Sequence, residues 1–216
     1  MKNILIIAAH IDDAELGMGG TIAKLSKDNN ITLCILCKGN HPGEEYVEVE
    51  RKKALNKNIK TLHIDKLIIN NYNDVSLDTI PHIELTTFIN KIINDIKPSI
   101  VFTHCENDIH IDHNILSKAV KVSCRPRNNN PVKALYEFSI PGSTEWSFKN
   151  TQFNTYIDIT EYANKKYKCI SRYYTELNDL PDPLNINFIQ YRDYYYGSIS
   201  GNEKAEPFRC IFKKYF

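Results

Sequence analysis

A short apolar run near the amino terminus, Ile4 to Ile7, is followed at once by polar residues that carry chemistry. Consecutive aliphatic residues are typical of a β-strand buried on both faces, as in a parallel sheet covered by helices. His10, Asp12 and Asp13 then follow where this strand leaves the sheet. Because ligands bind at the carboxyl ends of strands in open α/β sheets, the stretch predicts the position of a site as well as a fold.

Two interpretations of these polar residues are open. An imidazole and two adjacent carboxylates are costly to bury unpaired, and a shared cation is the partner that satisfies all of them. In the other interpretation, Asp12 or Asp13 only caps the following helix, with Glu15 closing a capping box.

A second cluster of the same kind follows a later apolar run, Ile100 to Phe102. It contains His110, Asp112 and His113. If residues 114–122 are helical, the two histidines lie at or before the first turn, three positions apart and able to point to one side. Two strand ends are therefore predicted to carry imidazole and carboxylate groups.

A catalytic divalent metal takes three protein ligands of nitrogen and oxygen type and keeps one position open for water. His10, Asp13 and His113 supply such a set from the two strand ends. Zinc is the first expectation for the metal. Two imidazoles and one carboxylate also match the facial triad of iron oxygenases, so ferrous iron or another divalent ion stays open.

Composition limits the class of protein. With 216 residues, 42% hydrophobic and 25% charged, the sequence predicts one globular domain over residues 1–216. A net charge of +1, with 27 basic residues spread among 26 acidic ones, gives no basic stripe for a nucleic-acid partner. No apolar stretch approaches the roughly twenty residues that cross a bilayer, and no secretory leader precedes the first strand, so we predict a cytoplasmic protein.

The six cysteines are too sparse for a disulfide scaffold, and we predict reduced thiols. Cys34 and Cys37 form a C-x-x-C pattern inside an apolar strand. Strict alternation puts positions three apart on opposite faces of a strand, which favours buried side chains over a redox or metal site.

Strand and helix patterns alternate along the whole chain. Strands are predicted over 4–7, 31–37, 62–70, 100–102, 134–140 and 155–159, and helices over 17–28, 46–56, 81–96, 114–122, 162–177 and 185–196. This alternation indicates an α/β fold, a Rossmann-like mostly parallel sheet with helices on both faces.

The two polar motifs resemble those of the LmbE-like, or PIG-L-type, metal-dependent N-deacetylase family, which read Ala-His-Pro-Asp-Asp-x-Glu and His-Pro-Asp-His. Here they read Ala9-His10-Ile11-Asp12-Asp13-Ala14-Glu15 and His110-Ile111-Asp112-His113. Isoleucine replaces both prolines, which removes two rigid rings but no ligand. Arg192, Gly197 and the segment 205–208 also resemble the closing pattern of the family.

The resemblance implies a role for each motif residue. His10, Asp13 and His113 match the metal ligands, and Asp12 matches the general base. His110 and Asp112 match the pair that assists at the oxyanion or the leaving group. The implied activity is removal of an N-acetyl group from an amino sugar or amino-sugar conjugate, by a water whose pKa the metal lowers to about 7.

Substrate contacts are predicted on the loops after the strands. Family members carry an arginine near the position of Val47, and Arg51, on the same helical face, is the proposed substitute. Asp74 resembles an aspartate of the pocket rim, although a turn residue fits the same position. Further candidates are His41, Glu44 and Asp108.

Two alternatives stay open on the sequence alone. Asp108 and His104, which flank the second motif, are also suited to orient the ligand imidazoles. A non-catalytic, metal-containing sugar-binding or regulatory protein is possible on the same fold, because fold does not determine function. Oligomeric state is not predicted.

Overall fold

The computed structural model describes residues 1–39, 45–127, 129–148 and 151–214. The strands within these ranges form one sheet, β1 (Asn3–Ala8), β2 (Asn30–Cys37), β3 (Lys66–Tyr72), β4 (Ile100–His104), β5 (Ala134–Phe138), β6 (Thr155–Asp158) and β7 (Ala205–Lys213). The α-helices are α1 (Asp13–Leu25), α2 (Glu45–Leu62), α3 (His82–Ile96), α4 (Ile111–Cys124), α5 (Ala163–Ile170) and α6 (Ile186–Ser200). None of these helices is both long and apolar enough to cross a membrane.

The strand order is β3-β2-β1-β4-β5-β7-β6. Pairing is parallel from β3 through β5, whereas β7 runs antiparallel to both β5 and β6. This confirms the Rossmann-like, mostly parallel sheet. The chain turns from one half of the sheet to the other between β1 and β4, and such a switch point opens a crevice at the carboxyl ends of the two strands.

Side chains of β1 alternate between two apolar layers, as expected for a central strand. Ile4 and Ile6 pack in the layer that contains α1, α2 and α5, and Leu5 and Ile7 pack in the layer that contains α3 and α4. Helices therefore cover both faces of the sheet. Helix α3 agrees with the predicted helix over 81–96, with Pro81 at its N-cap.

A buried ion cluster joins the carboxyl-terminal elements to α1. The ammonium group of Lys166 in α5 lies 2.8 Å from Asp193 in α6 and 3.0 Å from Glu206 in β7. Glu206 also accepts the backbone N–H groups of Gly20 and Thr21. The three charged side chains are fully buried, and Lys166 supplies a counter-charge to both carboxylates.

Strand β7 was not predicted, and the helix predicted over 162–177 was too long. In β7, a buried glutamate and Pro207 break the apolar alternation that identifies a strand. Helix α5 ends at Ile170, and Tyr173 beyond it is buried with its hydroxyl on Glu15. The helix predicted over 46–56 continues to Leu62 in the structure, so β3 begins at Lys66 and not at residue 62.

The strand that carries the C-x-x-C pattern is irregular. A register shift between Ile35 and Cys37 in the pairing with β3 breaks strict alternation. Cys34 and Cys37 therefore pack in the same apolar layer, contrary to the prediction of opposite faces. Both thiols are free and buried, as predicted, and burial raises the pKa of Cys34 to about 12.

Candidate metal centre and catalytic site

The two polar clusters of the sequence meet in the crevice between β1 and β4. His10 Nδ1 lies 3.2 Å from His113 Nε2. Asp13 has one oxygen 3.3 Å from His10 Nδ1 and the other 3.3 Å from His113 Nε2. Ligand atoms on a tetrahedral zinc with bonds of about 2.0–2.1 Å are about 3.3 Å apart, so this spacing suits a shared cation.

A carboxylate lies against the outer nitrogen of each of these histidines. His10 Nε2 is 3.0 Å from Asp112 Oδ2, and His113 Nδ1 is 3.2 Å from Asp108 Oδ1. A carboxylate at that position keeps the proton on the outer nitrogen and leaves the inner lone pair for a metal. The donor set therefore fits a divalent cation in ligand type, spacing and tautomer.

Asp112 does not orient His110, which differs from the predicted pairing. Its carboxylate accepts the N–H groups of Val75 and Leu77 in addition to its contact with His10. The ring of His110 instead accepts the backbone N–H of Asp112 at Nδ1, at 3.2 Å. A neutral His110 in this arrangement carries its proton on Nε2, because Nδ1 is the acceptor.

The sequence predicted a substrate contact at Asp108. In the structure this residue lies behind His113 and is not part of the cavity wall, so its position differs from that prediction. Its carboxylate accepts the hydroxyl groups of Ser143 and Thr144 and the backbone N–H of His110. The side chain is buried. Of the two roles that the sequence left open for Asp108, the geometry favours orientation of a ligand imidazole.

The capping interpretation of the first motif is wrong. The side chain of Asp12, at the N-cap of α1, makes no capping hydrogen bond. The carboxylate of Glu15 accepts from Asn58 and from the Tyr173 hydroxyl instead of closing a capping box. Asp12 lines the cavity, and Asp13 faces the histidines.

The two adjacent aspartates differ in pKa. Burial and the charge of Asp13 raise the pKa of Asp12 to about 6. Burial acts to raise the pKa of Asp13 as well, but His113, His104 and His10 outweigh it and hold that pKa well below the usual value. Asp13 is thus the permanent anion of the cluster, and Asp12 is a proton acceptor near neutral pH.

Two histidines of the cluster, His113 and His110, also differ in pKa. Burial acts to lower the pKa of His113, but Asp13 and Asp108 outweigh it and raise that pKa to about 9. Burial and the charges of His113 and His10 lower the pKa of His110 to about 4. A neutral His110 near pH 7 agrees with the hydrogen bond that its Nδ1 accepts.

His104, at the end of β4, completes the buried side of the cluster. Its ring stacks on His113 with centroids 3.9 Å apart. Its Nε2 is 2.9 Å from the N–H of Ala9 and 3.1 Å from Asp13 Oδ2, and a single nitrogen cannot accept from the first and donate to the second at once. The sequence placed His104 beside the second motif as a residue suited to orient the ligand imidazoles.

Potential ligand atoms within 4.8 Å of one another form three groups in the described part of the chain: His10, His110 and His113; Asp13, His104 and His113; His10, Cys37 and Asp74. The predicted ligand set draws its members from the first two groups. It stays a prediction, because more than one set of three converges at this point.

A cavity of about 380 Å³ opens in front of the cluster. Its walls come from several loops, and the residues described there are His10, Ile11, Asp12, Asp13, Leu16, Gly39, Arg51, Asp74, Val75, His110, His113, Ile140, Pro141, Gly142, Ser143, Glu176, Asp182, Pro183 and Leu184. This volume lies in the range of small-molecule sites.

The predicted contacts Arg51 and Asp74 both line this cavity. Arg51 donates from Nε to Glu176 at 2.7 Å and from its Nη2 to the other oxygen of the same carboxylate. Asp74 accepts the N–H of Gly39 at 3.0 Å.

Two carboxylates of the wall were not predicted, and two predicted contacts cannot be placed. Glu176 and Asp182 belong to turns after α5, in a stretch that the sequence pattern assigned partly to a helix. No motif marked either residue. His41 and Glu44 lie outside the described residues.

A family model described as PIG-L: GlcNAc-PI de-N-acetylase matches residues 5–124. The uncharacterized deacetylase YaiS of Escherichia coli K12 is 27% identical over 179 residues, which cover 77% of this chain and 91% of that protein. A probable N-acetyl-alpha-D-glucosaminyl L-malate deacetylase 2 of Bacillus subtilis is 28% identical over 131 residues, 55% of this chain and 59% of that protein.

The fold is also similar to that of a solved structure, the N,N'-diacetylchitobiose deacetylase of Pyrococcus horikoshii. The TM-score is 0.76 at 23% sequence identity, and the match covers 97% of this chain and 84% of that chain. At this identity, the likeness concerns the fold.

Proposed function

Because this chain belongs to the PIG-L family, we propose that it is a metal-dependent hydrolase that removes an N-acetyl group from an amino sugar or amino-sugar conjugate. The observation that carries the proposal is the arrangement of His10 and His113, each with a carboxylate on its outer nitrogen and its inner nitrogen toward Asp13. Relatives named as deacetylases of amino-sugar compounds support the same reaction class.

His10, Asp13 and His113 would hold the cation. Zinc is our first choice from the donor set, and ferrous iron is the second. When bound, such a cation lowers the pKa of a water ligand to about 7 and polarises the acyl oxygen.

Asp12 is the proposed general base. Its carboxylate lines the cavity beside the ligands, and it takes a proton from the attacking water as the oxygen of that water bonds to the acyl carbon. As the C–N bond breaks, Asp12 passes this proton to the departing amine. The products are a free amino group and acetic acid, which loses the second proton of the water to become acetate.

His110 is the proposed hydrogen-bond donor to the developing oxyanion. Its Nδ1 is held by the N–H of Asp112, which leaves the Nε2–H of the neutral ring as the group available to the cavity. A donor fixed in this way costs no reorganisation during the reaction.

The test is release of acetate from a panel of N-acetylated sugars and sugar conjugates by zinc-loaded protein, with N-acetyl amino acids as the comparison. We expect cleavage of amino sugars and poor cleavage of amino acids, because polar wall groups left unpaired by a small substrate lower its kcat/KM. Higher kcat/KM for N-acetyl amino acids would overturn the substrate class. Sugar binding without acetate release would favour a non-catalytic binding protein.

The proposal involves no nucleic acid. A cytoplasmic location stays a prediction from the sequence.

A further inference from the structure

The cavity wall is rich in negative charge. Its described residues include the carboxylates of Asp12, Asp13, Asp74, Glu176 and Asp182, with Arg51 as the one guanidinium among them. If all five carboxylates are ionised and the histidines are neutral, Arg51 and a divalent cation still leave a formal charge of −2. A cation at the floor of this cavity is therefore surrounded by more negative charge than it neutralises.

The one guanidinium of the wall is already engaged. Arg51 binds both oxygens of Glu176, and bidentate pairs of this kind are among the strong hydrogen-bonded ion pairs. Asp12 and Asp74 add further negative potential at Arg51. Capture of a substrate anion by Arg51 would leave Glu176 without this partner in a half-buried position, which is costly.

The wall is well supplied with hydrogen-bond acceptors. Asp182 accepts the N–H of Leu184 at 2.8 Å and the amide of Asn178 at 3.1 Å, and a carboxylate has lone pairs for further donors. Sugar hydroxyl groups are donors that such oxygens bind well. Carboxylate or phosphate groups of a substrate carry only acceptors when ionised, and they are repelled.

On the basis of the proposed function, we infer that the substrate is an uncharged N-acetyl amino sugar glycoside, and that conjugates whose aglycone carries carboxylate or phosphate are excluded. The wall formed by Asp74, Glu176 and Asp182 is the specificity element. Glu176 has a double role, because it adds a negative charge and also occupies Arg51.

The test compares two glycosides of N-acetylglucosamine, the uncharged methyl glycoside and the dianionic malate glycoside, by acetate release from zinc-loaded protein. At low salt we expect kcat/KM for the methyl glycoside to be at least tenfold higher. This difference in kcat/KM between the two glycosides should become smaller at 1 M salt, where the Debye length falls to about 3 Å and repulsion is screened.

Replacement of Glu176 by glutamine tests the wall directly. Glu176→Gln removes one negative charge and weakens the pairing that occupies Arg51, so kcat/KM for the malate glycoside should rise about tenfold relative to the methyl glycoside. The matched control is Glu203→Gln, a change at an exposed carboxylate that is not part of the cavity wall and should leave the ratio unchanged. If Glu176→Gln does not fold, Asp182→Asn should change the ratio in the same direction.

The outcomes separate the inference from the function on which it rests. Equal or faster cleavage of the malate glycoside by the unmodified protein would overturn the inference and leave the deacetylase proposal intact. A gap that does not respond to salt or to Glu176→Gln would also overturn it, because the preference would then have another cause. Release of acetate from neither glycoside would overturn the proposed function.

Discussion

Asp12 and Asp13 are adjacent in the chain, yet their carboxylates face different surroundings. Asp13 lies among three imidazoles, which hold its pKa low, whereas Asp12 lines the open cavity. This difference in surroundings supports the proposal that Asp13 is a ligand and Asp12 a base, a division of roles that paired carboxylates show in other enzymes.

The first prediction separates these two roles. Asp12→Asn should keep the metal and lose activity by roughly two to four orders of magnitude, the usual contribution of a positioned base. Asp13→Ala should lose metal and activity together. Elemental analysis measures the metal content, and acetate release measures the activity. A full equivalent of metal in the Asp13 variant would contradict its role as a ligand. Near-normal turnover in the Asp12 variant would contradict its role as the base, and His110 would be the next candidate.

The second prediction concerns Asp112, for which the resemblance and the geometry differ. Its contact with His10 predicts that Asp112→Asn lowers metal affinity by about 10–100-fold, the usual effect of removing a group that orients a metal ligand. A role at the oxyanion predicts unchanged affinity and a lower kcat. Titration against a competing chelator distinguishes the two, with Asp95→Asn, an exposed carboxylate of α3, as the control.

The residue types of the site could be predicted from the sequence, but their contacts could not. Apolar runs mark where β1 and β4 end, so the meeting of His10, Asp13 and His113 follows from the sheet alone. Which carboxylate faces which imidazole depends on side-chain direction. Helix α4 begins at Ile111, so His110 caps it from outside, while Asp112 turns inward toward β1.

At the scale of elements, α1 is held against the carboxyl-terminal third of the chain by the Lys166 cluster. Helix α3 has a clear apolar period and agrees closely with the prediction, whereas α2 continues to Leu62, beyond the predicted range 46–56. Strand β7 was missed because its stability comes from buried ion pairing and antiparallel neighbours, which a local pattern does not contain.

The third prediction tests this cluster. Lys166→Met should lower the free energy of unfolding by about 3–5 kcal/mol, because Asp193 and Glu206 are left buried without their cation. Lys165→Met, a change at the exposed neighbour in the same helix, should alter it by less than about 0.5 kcal/mol. Urea unfolding of the two variants gives the comparison, and similar values for both would contradict a structural role of the cluster.

The fourth prediction concerns the packing of α1. A Cβ atom added at Gly20 would lie 2.7 Å from Ile159 Cβ, closer than side-chain atoms approach. Gly20→Ala should therefore cost about 1–3 kcal/mol of stability through overpacking, although alanine favours a helix elsewhere. Thermal unfolding measures the loss. The double variant with Ile159→Ala should recover part of it, and an absence of recovery would place the cost elsewhere.

At the scale of the whole molecule, charge is distributed unevenly. The chain has a net charge of only +1, yet the described cavity wall holds five carboxylates and one guanidinium. Composition could not predict this, because the wall is assembled from loops that are far apart in sequence. Glu176 and Asp182 lie beside the two motifs only in the folded chain.

The last prediction links the metal to global stability. The proposed ligands come from two strand ends that are distant in sequence, so the folded chain binds the cation and the unfolded chain does not. A cation present at a hundred times its Kd then stabilises the folded chain by about 2.7 kcal/mol. For a chain of this length, such a gain raises Tm by roughly 5–10 °C. Chelator-treated protein should therefore melt lower and regain Tm as zinc is added, whereas Asp13→Ala should show no such shift. A Tm that does not respond to zinc, or an equal shift in the variant, would mean that the cation binds elsewhere or that the two strand ends do not share it.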